Sequence, residues 1–155
     1  MATTKIAYAS STSITITAGS LAAGSARESA AIDNTSNLYL NAFVMVQATL
    51  SAGSPSADKL VHIFAAGSED GSSWTDNATG SDAGLTLRSP TNLVPIGYIS
   101  TPDSGALLYK SHPLYVGRAF GGLLPRKWSI VVYNNTGLNF SAFTATYTGI
   151  TTTTA

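Results

Sequence analysis

The stretch Leu38-Tyr39-Leu40-Asn41-Ala42-Phe43-Val44-Met45-Val46-Gln47-Ala48-Thr49-Leu50 decides how the rest of the chain is read. Leu38, Leu40, Ala42, Val44, Val46 and Ala48 share one parity. A period of two marks an extended strand with one face turned to a core. A helix needs apolar residues at intervals of three and four, and that spacing is almost absent from this chain.

The same alternation recurs on both sides of this stretch. In Ser13-Ile14-Thr15-Ile16-Thr17 isoleucines alternate with hydroxyls, and in Lys59 to Ala66 Leu60, His62 and Phe64 oppose Val61 and Ile63. Further strands are expected over Leu93–Ser100, Leu107–Val116, Trp128–Tyr133 and Ser141–Gly149, with a weaker eighth over Gly24–Asp33. Turn formers punctuate them at Ser51-Ala52-Gly53-Ser54-Pro55, Glu69-Asp70-Gly71-Ser72 and Asn134-Asn135-Thr136-Gly137. Ala18–Ala30 is alanine-rich but contains Gly19 and Gly24, each costing about 1 kcal/mol inside a helix, so it is read as extended or irregular. Pro95 within a strand pattern points to an edge strand or a bulge. The fold class that follows is all-β: an antiparallel β-sandwich, jelly-roll-like, of about eight strands. One domain is expected over residues 12–150. A polar N-terminal arm, residues 1–11, and a flexible threonine-rich tail, residues 151–155, flank it. Such arms either fray or order on a neighbour.

Composition narrows the function. Only 10% of the 155 residues are charged, eight of each sign, and serine with threonine makes up a quarter of the chain. A typical soluble domain is about 25% charged, so little long-range repulsion keeps copies of this chain apart. Such a surface suits a protein packed against copies of itself or a partner. Zero net charge with scattered Lys and Arg argues against a nucleic-acid partner. The longest apolar stretch, Phe43 to Val46, is far short of a membrane span. Met1 to Ser13 has one lysine and no apolar core, so no secretory signal is expected. The chain has no cysteine, which excludes disulfides.

Motifs for chemistry are scarce. There is no Gly-x-Ser-x-Gly elbow and no glycine-rich phosphate loop, so no catalytic residue, cofactor or metal is assigned and an enzyme is not expected. Glu69, Asp70, Asp76 and Asp82 form the densest set of oxygen ligands. Their spacing does not match a calcium loop, and a hairpin rich in turn formers accounts for them equally well. His62 reads as a core or strand-face residue and His112, before Pro113, as a strand-edge turn. Trp74, Trp128, Tyr109 and Tyr115 are candidates for a sugar-binding face; Trp128 opens the apolar run Ile130-Val131-Val132 and reads as core, while Trp74 is either a loop anchor or an exposed contact. The loop from Arg118 to Lys127 carries half the arginines around Phe120, Leu123 and Leu124. Arginine and aromatics are enriched at interfaces. The candidate interface set is therefore Arg118, Phe120, Leu123, Leu124, Arg126, Lys127 and Trp74, the bland alternative being a crossover loop that caps the sandwich.

Three stretches carry a likeness to a known class. They are Gly67-Ser68-Glu69-Asp70-Gly71-Ser72-Ser73-Trp74 with Thr79-Gly80-Ser81-Asp82, Pro90-Thr91-Asn92-Leu93-Val94-Pro95-Ile96-Gly97, and Phe120 to Val132 with Asn135-Thr136-Gly137. Over residues 25 to 150 the chain resembles small virion structural proteins of tailed bacteriophages. The resemblance implies a β-sandwich, often a jelly roll, made in the host cytoplasm and carried on the capsid surface. Its favoured role is a capsid decoration (cement) protein that bridges neighbouring major capsid subunits, with the major capsid protein and its own copies, as a homotrimer, for partners. The alternatives are a tail- or fibre-associated host-recognition module with a glycan site around Trp74, and a head–tail connector or tail component. No functional residue carries over, because such proteins have no catalytic site.

Overall fold

The computed structural model describes residues 3–154. In chain order the strands are β1 (Thr4–Tyr8), β2 (Thr12–Ser13), β3 (Ala26–Glu28), β4 (Ile32–Asp33), β5 (Asn41–Leu50), β6 (Leu60–Ser68), β7 (Ala83–Leu85), β8 (Val94–Ser100), β9 (Leu108–Lys110), β10 (Leu114–Tyr115), β11 (Lys127–Asn135) and β12 (Phe140–Thr154). A 3₁₀ turn, Val116–Phe120, joins β10 towards β11. Together they form an antiparallel β-sandwich of two sheets.

Short segments share strand positions. In the first sheet β1 and β2 both pair with β12, and β9 and β10 both pair with β5, giving the order β1/β2–β12–β5–β9/β10. In the second sheet β3 and β4 both pair with β11, giving β7–β3/β4–β11–β6–β8. With β7 set aside as an insertion between β6 and β8, eight positions remain, ordered 1-8-3-6 and 2-7-4-5. Every step along the chain changes sheet except the step from position four to position five.

The alternation places the core. Val44, Val46, Ala48 and Leu50 of β5 face Val61, Ile63 and Ala65 of β6, with Ile130, Val132 and Trp128 of β11 beside them. Trp128 is buried and meets Tyr147 edge-on, centroids 5.5 Å apart. The run Ile130-Val131-Val132 breaks the alternation because β11 is buried on both faces: Val131 belongs to a separate apolar cluster behind the second sheet. Pro95 does sit on the edge strand β8 and beside a bulge. Ile63 pairs with Gly97 and Phe64 with Pro95, leaving Ile96 as the extra residue, which turns Ile96 and Ile99 both inward.

Several expected boundaries move. Leu38 and Leu40 lie before β5 and are exposed, because the chain turns there: Leu38 has φ of 52°. The Ser13–Thr17 ladder shrinks to Thr12–Ser13, although Ile14 still points inward. Leu107–Val116 is split by Ser111–Pro113, and Gly24–Asp33 by Ser29–Ala31. The arm and the tail are not separate from the domain within the described residues. Thr4–Tyr8 pairs with Ile150–Thr154 in one antiparallel ladder, and the β-branched threonines of the tail suit a pleated strand with a solvent-facing side. Met1, Ala2 and Ala155 lie outside the described residues.

Candidate functional site

The two outer faces of the sandwich are built differently. On the first sheet, pairing fixes which side chains share the outside. Phe43 stands opposite Thr148 and Tyr115, Met45 opposite Thr146, Gln47 opposite Thr144 and Lys110, and Thr49 opposite Ala142 and Leu108. The row continues through Ile150 to Tyr8 and through Thr152 to Ile6. None of these side chains is buried, and among the described residues Lys110 is the one charged group on the face. Phe43 and Tyr115 pack ring to ring at 5.8 Å, tilted by 52°.

This face continues round one end of the sandwich. Leu40 N–H donates to the Ile150 carbonyl at 2.8 Å, and Leu124 N–H donates to the Leu40 carbonyl at 3.0 Å. Asn41 Nδ2 donates to Tyr115 Oη and to the Gly122 carbonyl, both at 2.6 Å. The crossover loop is thereby tied to the start of β5. Around that end Leu38 is 71% exposed, Ile6 67%, Tyr8 64% and Leu123 63%. Scattered exposed leucines need no explanation, but a contiguous apolar group on a charge-poor face does. Leu38 adds a second signal. The left-handed region costs an L-residue roughly 1–2 kcal/mol, and glycine or asparagine is the usual occupant. Here a bulky leucine takes it and buries little in return.

The second sheet is covered over part of its outer face by its own chain. Segment 69–93 folds back over it, and Trp74, Ala78 and Leu93 pack on Ala26, Ala66 and Val131. Gly80, at φ of 72°, lies directly against the Trp74 ring and has no room for a Cβ. Glu28, almost fully buried, accepts hydrogen bonds from the Thr79 and Gly80 amides at 2.8 and 2.7 Å and from Ser129 Oγ at 2.8 Å. That carboxylate latches the cover to β3 and β11.

Three acids of the cover, Asp70, Asp76 and Asp82, are committed to separate partners. Asp70 accepts from the Ser73 hydroxyl and from the Ser73 and Ser72 amides, which hold its carboxyl well below the ordinary range. Burial pushes Asp82 up, but hydrogen bonds from Arg27 and Thr17 outweigh it and leave the carboxyl lowered. Asp76 is likewise lowered: its desolvation is overcome by the Asn92 amide, the Thr91 hydroxyl and Arg88, whose Nη1 lies 2.8 Å away. Among the described residues, no group of three His, Asp or Glu side chains is placed to hold a metal.

Comparisons of the chain with protein-family models, with curated proteins and with solved structures found no match. Any role for these residues therefore rests on their own geometry.

The sequence-derived interface set is dispersed by the fold. Arg118, Leu123 and Arg126 are exposed. Phe120 and Leu124 turn in against the main core, and Phe120 sits over Gly67 beside Pro125. Lys127 lies on β11 near Gly71. Trp74 is the anchor of the cover, not an outward ring. Trp128 and Tyr109 pack with the main core, so the four aromatics considered for a sugar face are not brought together. His62 stands on the outer face of β6 with Nε2 2.6 Å from Asp58 Oδ2, and His112 is exposed in the break between β9 and β10. Sequence reasoning missed Phe43, Met45, Tyr115 and the threonines of β12 as one surface. The signal was present as the second parity of Leu38–Leu50. Glu28 was missed because a lone acid in a weak strand carries no pattern.

Proposed function

We propose that this protein is a capsid decoration protein of a tailed bacteriophage, seating the outer face of its first sheet on the major capsid protein and bridging neighbouring subunits. One observation carries the reading: among the described residues, a whole sheet face has a single charge and no covering segment. Burying such a face removes apolar surface from water at about 25 cal/mol per Å², and almost no ion has to be desolvated. The exposed edge of β1 beside it offers unpaired backbone groups for strand addition. The order of the eight positions, 1-8-3-6 and 2-7-4-5, supports the reading as a jelly roll of two Greek keys, the architecture that the resemblance to virion proteins implies. Trimers over the lattice would place three such faces side by side, and repeated contacts multiply modest affinities. A protein that binds only the assembled shell stabilises it by mass action.

The test is reconstitution. Purified protein added to undecorated capsids is expected to bind in hundreds of copies and to raise their resistance to heat. Absence of binding to such capsids would overturn the proposal.

A further inference from the structure

We infer that a groove over the outer face of the second sheet is a binding site for a neutral oligosaccharide. The groove is open and encloses about 850 Å³, within the roughly 300–1,000 Å³ usual for small-ligand sites. Its floor is aromatic. Tyr133 stands directly opposite His62 on the neighbouring strand, and Phe64 follows two residues along on the same face. The His62 ring stacks against both of the others: centroids 5.9 Å from Tyr133 and 6.3 Å from Phe64, each pair inclined by 27°. Tyr98, opposite His62 on the edge strand and 58% exposed, extends this row beyond the groove. The Asp58 carboxylate, 2.6 Å from His62 Nε2, fixes the imidazole in the row.

The walls decide the ligand class. Ser20, Ser25, Thr86 and Ser89 line the sides, and each hydroxyl both donates and accepts. A pyranose presents the same pair of demands: apolar C–H groups for the ring row and equatorial hydroxyls for the walls. Both arginines that line the groove are already paired with carboxylates. Arg27 Nε lies 2.7 Å from Asp82, and Arg88 Nη1 lies 2.8 Å from Asp76. A polyanion such as single-stranded nucleic acid needs free positive charge along its backbone as well as stacking rings, and this groove supplies only the rings. A purely apolar ligand would leave the hydroxyl walls unpaired. The inference does not depend on the capsid reading, since the groove lies on the opposite face of the sandwich from the bare sheet.

The experiment titrates the whole chain, free in solution, with an array of neutral glycans that includes maltotriose, cellotriose and chitotriose. Poly(dT) and polygalacturonate serve as anionic probes. At least one neutral oligosaccharide is expected to bind, about tenfold or more weaker to Tyr133→Leu and to His62→Ala, and unchanged with Tyr115→Leu on the other face. If circular dichroism shows Tyr133→Leu unfolded, His62→Ala decides. No binding across the neutral array overturns the inference. So does binding that both groove variants leave intact, and so does binding confined to the anionic probes.

Discussion

The two outer faces of this sandwich solve one problem in opposite ways. A chain with so few charges cannot cover both sheets with solvated groups. The second sheet is partly closed by segment 69–93, latched through Glu28 and the Arg27–Asp82 pair and braced within itself by the Arg88–Asp76 pair. The first sheet keeps Phe43, Met45, Tyr115 and the β12 threonines uncovered. Charge has thus gone where the protein closes on itself and is withheld where it stays open. The lesson is that an uncovered face with almost no charge reads as one half of an interface.

The covered face is where stability is most easily broken. Glu28→Gln keeps one acceptor oxygen and sets an amide donor either against the Thr79 amide or against the Gly80 amide and Ser129 Oγ. Leaving buried polar groups unpaired costs about 1–3 kcal/mol each, so a loss of about 3 kcal/mol is expected in urea unfolding. Hydrogen exchange should rise first in residues 69–93. Equal loss of protection in β5 and β12 would show that the cover is not a separable unit. Trp74→Ala should cost a comparable amount, about 3 kcal/mol, by the same measurement.

The bare face should respond in binding and not in folding. Thr146→Asp places a carboxylate at its centre, opposite Met45. Its effect on unfolding should stay within about 0.5 kcal/mol, as for most surface changes. Capsid affinity should fall by more than about tenfold, because an unpaired charge would be buried. Unfolding and affinity moving together would erase the contrast between the faces.

Acid sharpens the comparison further. The carboxyls of Asp70, Asp76 and Asp82 all lie below their ordinary value of 3.8 in the folded protein. A depressed folded value means that the stabilisation is complete above the unfolded value and is lost as pH falls through the folded ones. Thermal melts should therefore be insensitive to these groups from pH 8 to about pH 5 and decline below about pH 4. Loss of the Trp74 fluorescence environment should precede global unfolding. A decline that begins near neutrality would point to other groups.

The smallest effect is expected at Leu38. Leu38→Gly relieves a left-handed backbone, a gain partly offset by the freedom glycine adds to the unfolded chain. Stability should be unchanged or raised by about 0.5 kcal/mol, while capsid affinity drops several-fold. A clear loss of stability would mean that Leu38 packs within the monomer.

Much of the fold was legible because period-two patterns report directly which side chains face a core. Ala42, Val44, Val46 and Ala48 were placed correctly by parity alone, and Pro95 announced its edge strand and bulge. Strand order was not legible, because periodicity names a face and not a neighbour; the pairing of Thr4–Tyr8 with Ile150–Thr154 joins the two ends of the chain. The candidate surfaces were less readable still. Lys59–Ala66 alternated poorly because Phe64 and Ala66 lie under the chain's own cover, so both parities of β6 had reason to be apolar. The Arg118–Lys127 loop read either as an interface loop or as a capping crossover, and the bonds that join it to the bare face, from Leu124 to Leu40 and from Asn41 to Gly122, have no sequence pattern.

The most direct test of that face is the copy number bound to undecorated capsids, measured by quantitative mass spectrometry against the major capsid protein for wild type and for Thr146→Asp. The account predicts a simple ratio to the capsid subunit for the wild-type protein and a large loss for the variant. A handful of copies per particle, or equal loading of the variant, would contradict it.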